Sequence, residues 1–196
     1  LRAERGIGPA RMNRVTVRVT ARAIGGYLER RGLTKSGIVI GYDARPDSDL
    51  YALDSARLLT ALGVRCWLID GPVPTPVVVW HQTRLSASGA IVVTASHNPA
   101  EDSGYKVYWD DGAQIANPVD TKIAQRIDFK NPPTEESLAD YEDAIILKGD
   151  DELIKTYVDF ASSSVSSESK REIKQIYTPL HGVGKKVFLD VFYYYF

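Results

Sequence analysis

Three short, wholly apolar runs set the terms for this 196-residue chain: Ile38-Val39-Ile40, Cys66-Trp67-Leu68-Ile69 and Ala90-Ile91-Val92-Val93. A strand exposed on one face alternates apolar and polar residues; an unbroken run of this length is expected where both faces are covered. Helical patterns separate the runs. One opens at Ser48 or Asp49, carries Leu50, Leu53, Leu58 and Leu62, and stops at Gly63; a shorter one, over 77–85, follows the turn Pro74-Thr75-Pro76. Strand, helix, strand, helix, strand specifies a parallel sheet flanked by helices. Right-handed crossovers then bring all three strand ends to one edge, where ligands bind in open α/β sheets. Three polar loops, 43–45, 70–75 and 94–98, are therefore expected to converge.

The flanking segments extend this reading. Residues 14–31 form a helix with Asn13 as N-cap and Gly32 as stop; Val15, Val17 and Val19 alternate as a strand would, but the pattern continues through Leu28, too long for one. Residues 105–109 read as a strand, antiparallel because it follows the third run so closely, and 118–129 as a helix with proline in its first turn. Residues 131–149, with two prolines and mixed charge, read as an exposed excursion, and 151–162 as a helix. Six serines among residues 162–169 read as a linker. A strand over 173–177 and a helix opening near 184 would follow. The fold class is thus α/β, a mostly parallel (mixed) sheet sandwiched by helices over 1–169, with the truncated start of a second α/β domain over 170–196. The absence of an initial Met and the terminal run Phe192-Tyr193-Tyr194-Tyr195-Phe196 point to a piece of a longer chain.

Composition excludes several function classes. With 24 basic and 25 acidic side chains, the chain has no charge excess to drive broad nucleic-acid binding. No apolar run approaches the ~20 residues of a transmembrane helix. The lone Cys66 can form neither an intrachain disulfide nor a cysteine zinc cage, which points to a cytoplasmic home.

Chemistry concentrates in Thr94-Ala95-Ser96-His97-Asn98-Pro99. A serine between a buried strand and a proline-containing turn is held in place at the sheet edge, but its hydroxyl needs help to act as a nucleophile. No Gly-x-Ser-x-Gly elbow surrounds it, and His97 on an extended segment points away from Ser96, which argues against a Ser-His-Asp hydrolase. A phosphoryl carrier fits better, since phosphate needs cations and amide donors more than a proton relay. Arg45, Lys106 and Arg2 are the available cations, and Thr94 and Asn98 can orient the hydroxyl or an oxyanion. His181, near a helix start in Leu180-His181-Gly182-Val183-Gly184, is a further phosphate-binding candidate. Each also has a plain structural reading as a solvated cation or a turn residue. No P-loop, Gly-x-Gly-x-x-Gly or His-Glu-x-x-His occurs, and no three acids are spaced as a Mg²⁺ cage.

Together, Thr94 to Pro99 with Gly104-Tyr105-Lys106, Gly41-Tyr42-Asp43-Ala44-Arg45 with Ser48, Pro72-Val73-Pro74-Thr75-Pro76, and Tyr177-Thr178-Pro179-Leu180-His181-Gly182-Val183-Gly184 resemble, in order, the motifs of the α-D-phosphohexomutases. Leu1-Arg2-Ala3-Glu4 and Arg11-Met12-Asn13 resemble the end of that family's N-terminal Gly-Leu-Arg motif. The resemblance implies phosphoglucomutase/phosphomannomutase-type transfer between positions 1 and 6 of a hexose phosphate, through phosphoserine and a bisphosphate intermediate. Ser96 would carry the phosphoryl group. Lys106 and Arg2 would move protons or stabilise charge, His97 and Asn98 would shape the loop, and one Mg²⁺ would bridge the Ser96 phosphate, with hexose 1,6-bisphosphate as activator. The family's Asp-Gly-Asp-x-Asp-Arg metal loop and later sugar-recognition loops are missing from this sequence. Its partners would be a sugar phosphate and the remaining domains of its own chain, and these residues alone are expected to be inactive. Phosphopentomutase or glucose-1,6-bisphosphate synthase activity, or a non-catalytic sugar-phosphate-binding module, are the alternatives.

Overall fold

The computed structural model describes residues 1–164, 172 and 174–195. The three apolar runs become β2 (Ile38–Tyr42), β3 (Cys66–Asp70) and β4 (Gly89–Val93), joined through α2 (Ser48–Ala61) and α3 (Thr75–Arg84). Residue by residue, each strand divides its side chains between two cores. Ile38, Ile40, Leu68, Ile91 and Val93 lie in one cluster, while Val39, Trp67, Ile69, Ala90 and Val92 lie in the other. This two-sided burial is the physical reason the runs contain no polar interruption. The first cluster is closed by α1 (Arg14–Arg30) and α2, the second by α3 and α5 (Asp151–Ser163), giving three layers. Asn13 caps α1 as expected, its Oδ1 accepting from the Thr16 N–H at 2.9 Å.

The sheet has six strands in the order β1-β5-β4-β2-β3-β6, with β1 at Arg2–Glu4, β5 at Asp102–Trp109 and β6 at Ile145–Lys148. β4, β2, β3 and β6 run parallel, whereas β5 pairs antiparallel with β4, and β1 antiparallel with β5. The mixed α/β architecture expected from the sequence is therefore present. The chain leaves β2 toward β3 but leaves β4 toward β5. Such a divergence opens a crevice at the strand ends, here between the loops that follow β2 and β4.

Three local expectations are corrected. Residues 131–149 are not a free excursion: β6 pairs with β3, the Arg57 Nε–H donates to the Ala139 carbonyl at 2.7 Å, and Glu135 accepts from Arg18 and Arg57. Arg14 and Arg18 also converge on buried Asp54; burial pushes its carboxyl up, but their hydrogen bonds and charges outweigh this and hold it below the usual carboxylate range. The helix expected over 118–129 is only α4 (Val119–Ala124). The expected strand over 173–177 does not form, since residues 174–179 are irregular; Ile173 lies outside the described residues, as does most of the serine-rich stretch. The helix expected after residue 184 is α6 (Lys185–Tyr195), whose Val187 packs into the second core cluster beside α5. Among the described residues no helix is long and apolar enough to cross a membrane.

Candidate functional site

Ser96 lies at the crevice between the β2 and β4 loops. Its backbone has φ +58°, in the left-handed region, which costs a non-glycine residue about 1–3 kcal/mol and is found chiefly where the surroundings over-determine it. Those surroundings are identifiable. The Thr94 hydroxyl oxygen accepts the Ser96 N–H at 3.0 Å, the Thr94 N–H donates to the Gly104 carbonyl at 2.9 Å, and the Asn98 N–H donates to the Ala95 carbonyl at 3.1 Å. Thr94 is buried and Ser96 half-buried, so the loop is fixed at its root and its hydroxyl remains reachable.

Lys106 comes from β5, opposite Val92 in the antiparallel pair. Its Nζ stands 3.4 Å from Ser96 Oγ. Burial, and secondarily the charge of Arg2, hold the Lys106 ammonium below the ordinary lysine value, with Asp43 pulling the other way. A lysine whose ammonium releases its proton more readily than a free one, beside a hydroxyl, can take or return a proton there. Arg2, on β1, reaches the same loop: its Nη1 donates to Asn98 Oδ1 at 3.0 Å, and Asn98 Nδ2 donates to Asp102 Oδ2 at 2.7 Å. Both polar ends of the Asn98 amide thus face protein, tying the loop to β1 and to the start of β5.

Two expectations change. Arg45 is a phosphate-binding candidate by sequence, but its side chain is buried. It donates to the carbonyls of Ser96, Asn98, Pro99 and Asp102, and its Nε faces Asp43 Oδ2 at 3.3 Å. Its four terminal N–H groups are thus taken by carbonyls, and its Nε–H is buried away from the cavity without a hydrogen-bond partner, so none reaches a substrate phosphate. His181 is exposed and stands outside the cavity that its neighbours line. That cavity, of about 290 Å³, places Ser96, His97 and Thr75 across from Pro179, Gly182 and Gly184. It is the expected convergence of the strand-end loops, closed on its far side by the segment before α6. The sequence reading missed the part played by Asp43 and Ser48. Asp43 Oδ1 accepts from the Ser48 hydroxyl at 2.9 Å and the Arg45 N–H at 3.1 Å. The available signal was the Asp-x-Arg-x-x-Ser spacing directly after a buried strand.

Known proteins resemble this chain in sequence and in fold. A family model described as phosphoglucomutase/phosphomannomutase, alpha/beta/alpha domain I, matches residues 1–132. A protein named "Probable phosphomannomutase" from Haemophilus influenzae is 37% identical over 180 residues, covering 90% of this chain and 36% of the relative. The mouse phosphopentomutase is 38% identical over 202 residues, covering 94% of this chain and 32% of the relative. The crystal structure of a phosphoglucomutase/phosphomannomutase family protein from Burkholderia thailandensis superposes with a TM-score of 0.65 at 24% identity, over 86% of this chain and 35% of that one, and so shares the fold. The chain spans about a third of the length of the curated relatives it matches. With its sheet order, its Ser96 loop and a family match running from residue 1 to 132, the chain belongs to the phosphoglucomutase/phosphomannomutase family, whose α/β/α domain I it contains.

Proposed function

We propose that the complete protein moves a phosphoryl group between positions 1 and 6 of a hexose phosphate, with Ser96 as the carrier. The observation that carries this reading is the Ser96 hydroxyl held in a left-handed backbone conformation at the cavity, 3.4 Å from a lysine whose ammonium is held below its ordinary value. In the forward step the bond from phosphorus to Ser96 Oγ breaks as a bond from phosphorus to the sugar hydroxyl oxygen forms. One proton leaves that hydroxyl and one arrives on Ser96 Oγ; Lys106 Nζ is placed to relay it. The bisphosphate then returns its other phosphoryl group to Ser96 by the reverse exchange. Arg2 adds positive charge beside the loop, and exposed His97 faces the cavity where the sugar would enter.

Mg²⁺ is implied by the family, and a phosphate on Ser96 would supply it one ligand. Among the described residues no three of His, Cys, Asp and Glu gather to hold an ion, and the side chain hydrogen-bonded to Ser96 Oγ is that of Lys106, which is no metal ligand when protonated. The described residues therefore do not complete a divalent site. The remaining ligands and the sugar-reading loops would come from further domains of the same chain, the first beginning near residue 170. A cytoplasmic setting accords with the single, buried cysteine.

A pentose phosphate is the second reading, favoured by the 38% identity to the mouse phosphopentomutase. Intact-mass measurement on the full-length protein incubated with hexose 1,6-bisphosphate and Mg²⁺ should show one added phosphate, absent in Ser96→Ala, and that variant should lose turnover by at least ~1000-fold. Turnover retained in Ser96→Ala, or no phosphate on Ser96, would refute the carrier role. Comparing kcat/KM for glucose, mannose and ribose phosphates separates the hexose from the pentose reading.

A further inference from the structure

The loop carrying Ser96 closes around a single buried cation that the phosphoryl exchange itself does not touch. The Arg45 guanidinium meets the carbonyl oxygens of Ser96 at 2.8 Å, Asn98 at 2.7 Å, Pro99 at 2.5 Å and Asp102 at 3.0 Å. Four carbonyls spread over seven residues thus point at one side chain. Its charge is balanced by Asp43, itself fixed by Ser48, and the pair is almost sealed from water, at 6% and 4% exposure. An arginine buried beside a carboxylate, with all four terminal N–H groups on loop carbonyls, is a clamp rather than a stabiliser of developing phosphate charge.

We propose that Arg45, backed by Asp43 and Ser48, is the positioning residue that holds Ser96 in its left-handed conformation and so sets its hydroxyl against Lys106; this rests on the phosphoserine reading above. The Ser96 carbonyl is itself one of the four oxygens held, so the clamp acts on the strained residue directly. Lysine cannot substitute, because it offers three donors from one point where the loop requires a planar fork reaching four oxygens. Without the fork, Ser96 relaxes toward an ordinary backbone conformation and Oγ swings away from its partner.

The test compares wild type, Arg45→Lys and Ser48→Ala in the full-length protein, reading kcat, KM for the sugar phosphate, and phosphate on Ser96 by intact mass. Arg45→Lys is expected to lower kcat about 100-fold with KM within about threefold of wild type, since a misplacement near 1 Å has effects of that order. Ser48→Ala, which removes one hydrogen bond behind the clamp, is expected to lower kcat roughly fivefold with KM unchanged. Wild-type kcat in Arg45→Lys overturns the inference while leaving the phosphoserine reading intact, and a rise in KM that accounts for the whole loss overturns it in favour of a substrate contact. Wild-type protein that never acquires phosphate on Ser96 removes both. Should Arg45→Lys not fold, Ser48→Ala decides alone: an unchanged kcat overturns the clamp.

Discussion

On one side of the cavity, residues 94–102 are tied to three separate parts of the sheet; on the other, residues 178–184 are tied chiefly to themselves. The Ser96 side is held by Gly104 on β5, by Arg45 after β2, and by Arg2 on β1. The facing loop has the Gly182 N–H on the Pro179 carbonyl at 2.8 Å and the Leu180 N–H on the Thr178 hydroxyl at 3.2 Å, bonds that stay within the loop. Behind it, Tyr177 stacks on Phe188 at 3.8 Å and Val187 is buried against the domain. The contrast follows from what each side must do. A reacting hydroxyl needs a fixed position, and long-range bonds supply it. A wall that encloses a ligand needs only an anchored base, and local bonds make it the less stable of the two.

The largest expected effect comes from adding one methyl group to each side. At Gly104 a Cβ would lie 2.2 Å from the Thr94 carbonyl oxygen and 3.0 Å from its carbonyl carbon, both backbone atoms at the root of the Ser96 loop. Gly104→Ala should therefore cost about 3 kcal/mol in urea unfolding. At Gly182 the nearest atom to such a Cβ is the Pro179 carbonyl oxygen at 3.2 Å, a neighbour in a loop that can yield. Gly182→Ala should cost below ~1 kcal/mol. Equal costs would mean that the two walls are equally rigid.

The same contrast explains what the sequence could disclose. β2, β3 and β4 were legible because burial on both faces forces unbroken apolar runs, and Asn13 was legible because a cap needs a short acceptor side chain. β6 was hidden: Ile145-Ile146-Leu147 is brief, lies among charges, and forms an edge strand with Ile145 45% exposed. β1 was hidden more deeply, since Arg2-Ala3-Glu4 has no apolar pattern and becomes a strand only by pairing with β5. At the site, Ser96 and Lys106 were legible as neighbours, and the fold brings them to 3.4 Å, whereas Arg45 faces carbonyls and not the cavity. An arginine reads the same in sequence whether phosphate or four carbonyls await it, and only the folded path of residues 96–102 decides between them.

A smaller effect should appear on acidification, through the packing of α3 on α5. His81 on α3 is buried, with Nε2 3.3 Å from the Leu153 carbonyl of α5, the helix on which α6 rests. Burial, with a lesser push from Arg84, holds its pKa below the ordinary 6.5, although the Leu153 bond pulls upward. As pH falls below 6.5 the unfolded chain binds the proton more readily than the folded one, so stability present above that pH is lost as pH drops through the lowered folded value. Thermal unfolding followed from about pH 8 to about pH 5 should show this decline in wild type and a shallower one in His81→Gln, across the range where histidine titrates. Identical slopes would remove His81 as the cause.

The smallest effect tests whether charge, rather than burial, anchors the weaker wall. Lys186 Nζ lies 3.0 Å from Asp151 Oδ1 on α5 and 3.1 Å from Asp190 Oδ2 on its own helix, and these bonds raise its pKa. The geometry is good, but the lysine side chain is 52% exposed and Asp151 89%, so water and salt screen the attraction and side-chain entropy opposes it. Lys186→Ala should therefore cost below ~0.5 kcal/mol, and the difference should vanish in about 1 M salt. A loss approaching that of Gly104→Ala would mean that the wall hangs on its ion pairs. A negligible one leaves the apolar packing of α6, with Val187 buried in the second core cluster and Val191 against it, to hold residues 178–184 facing Ser96.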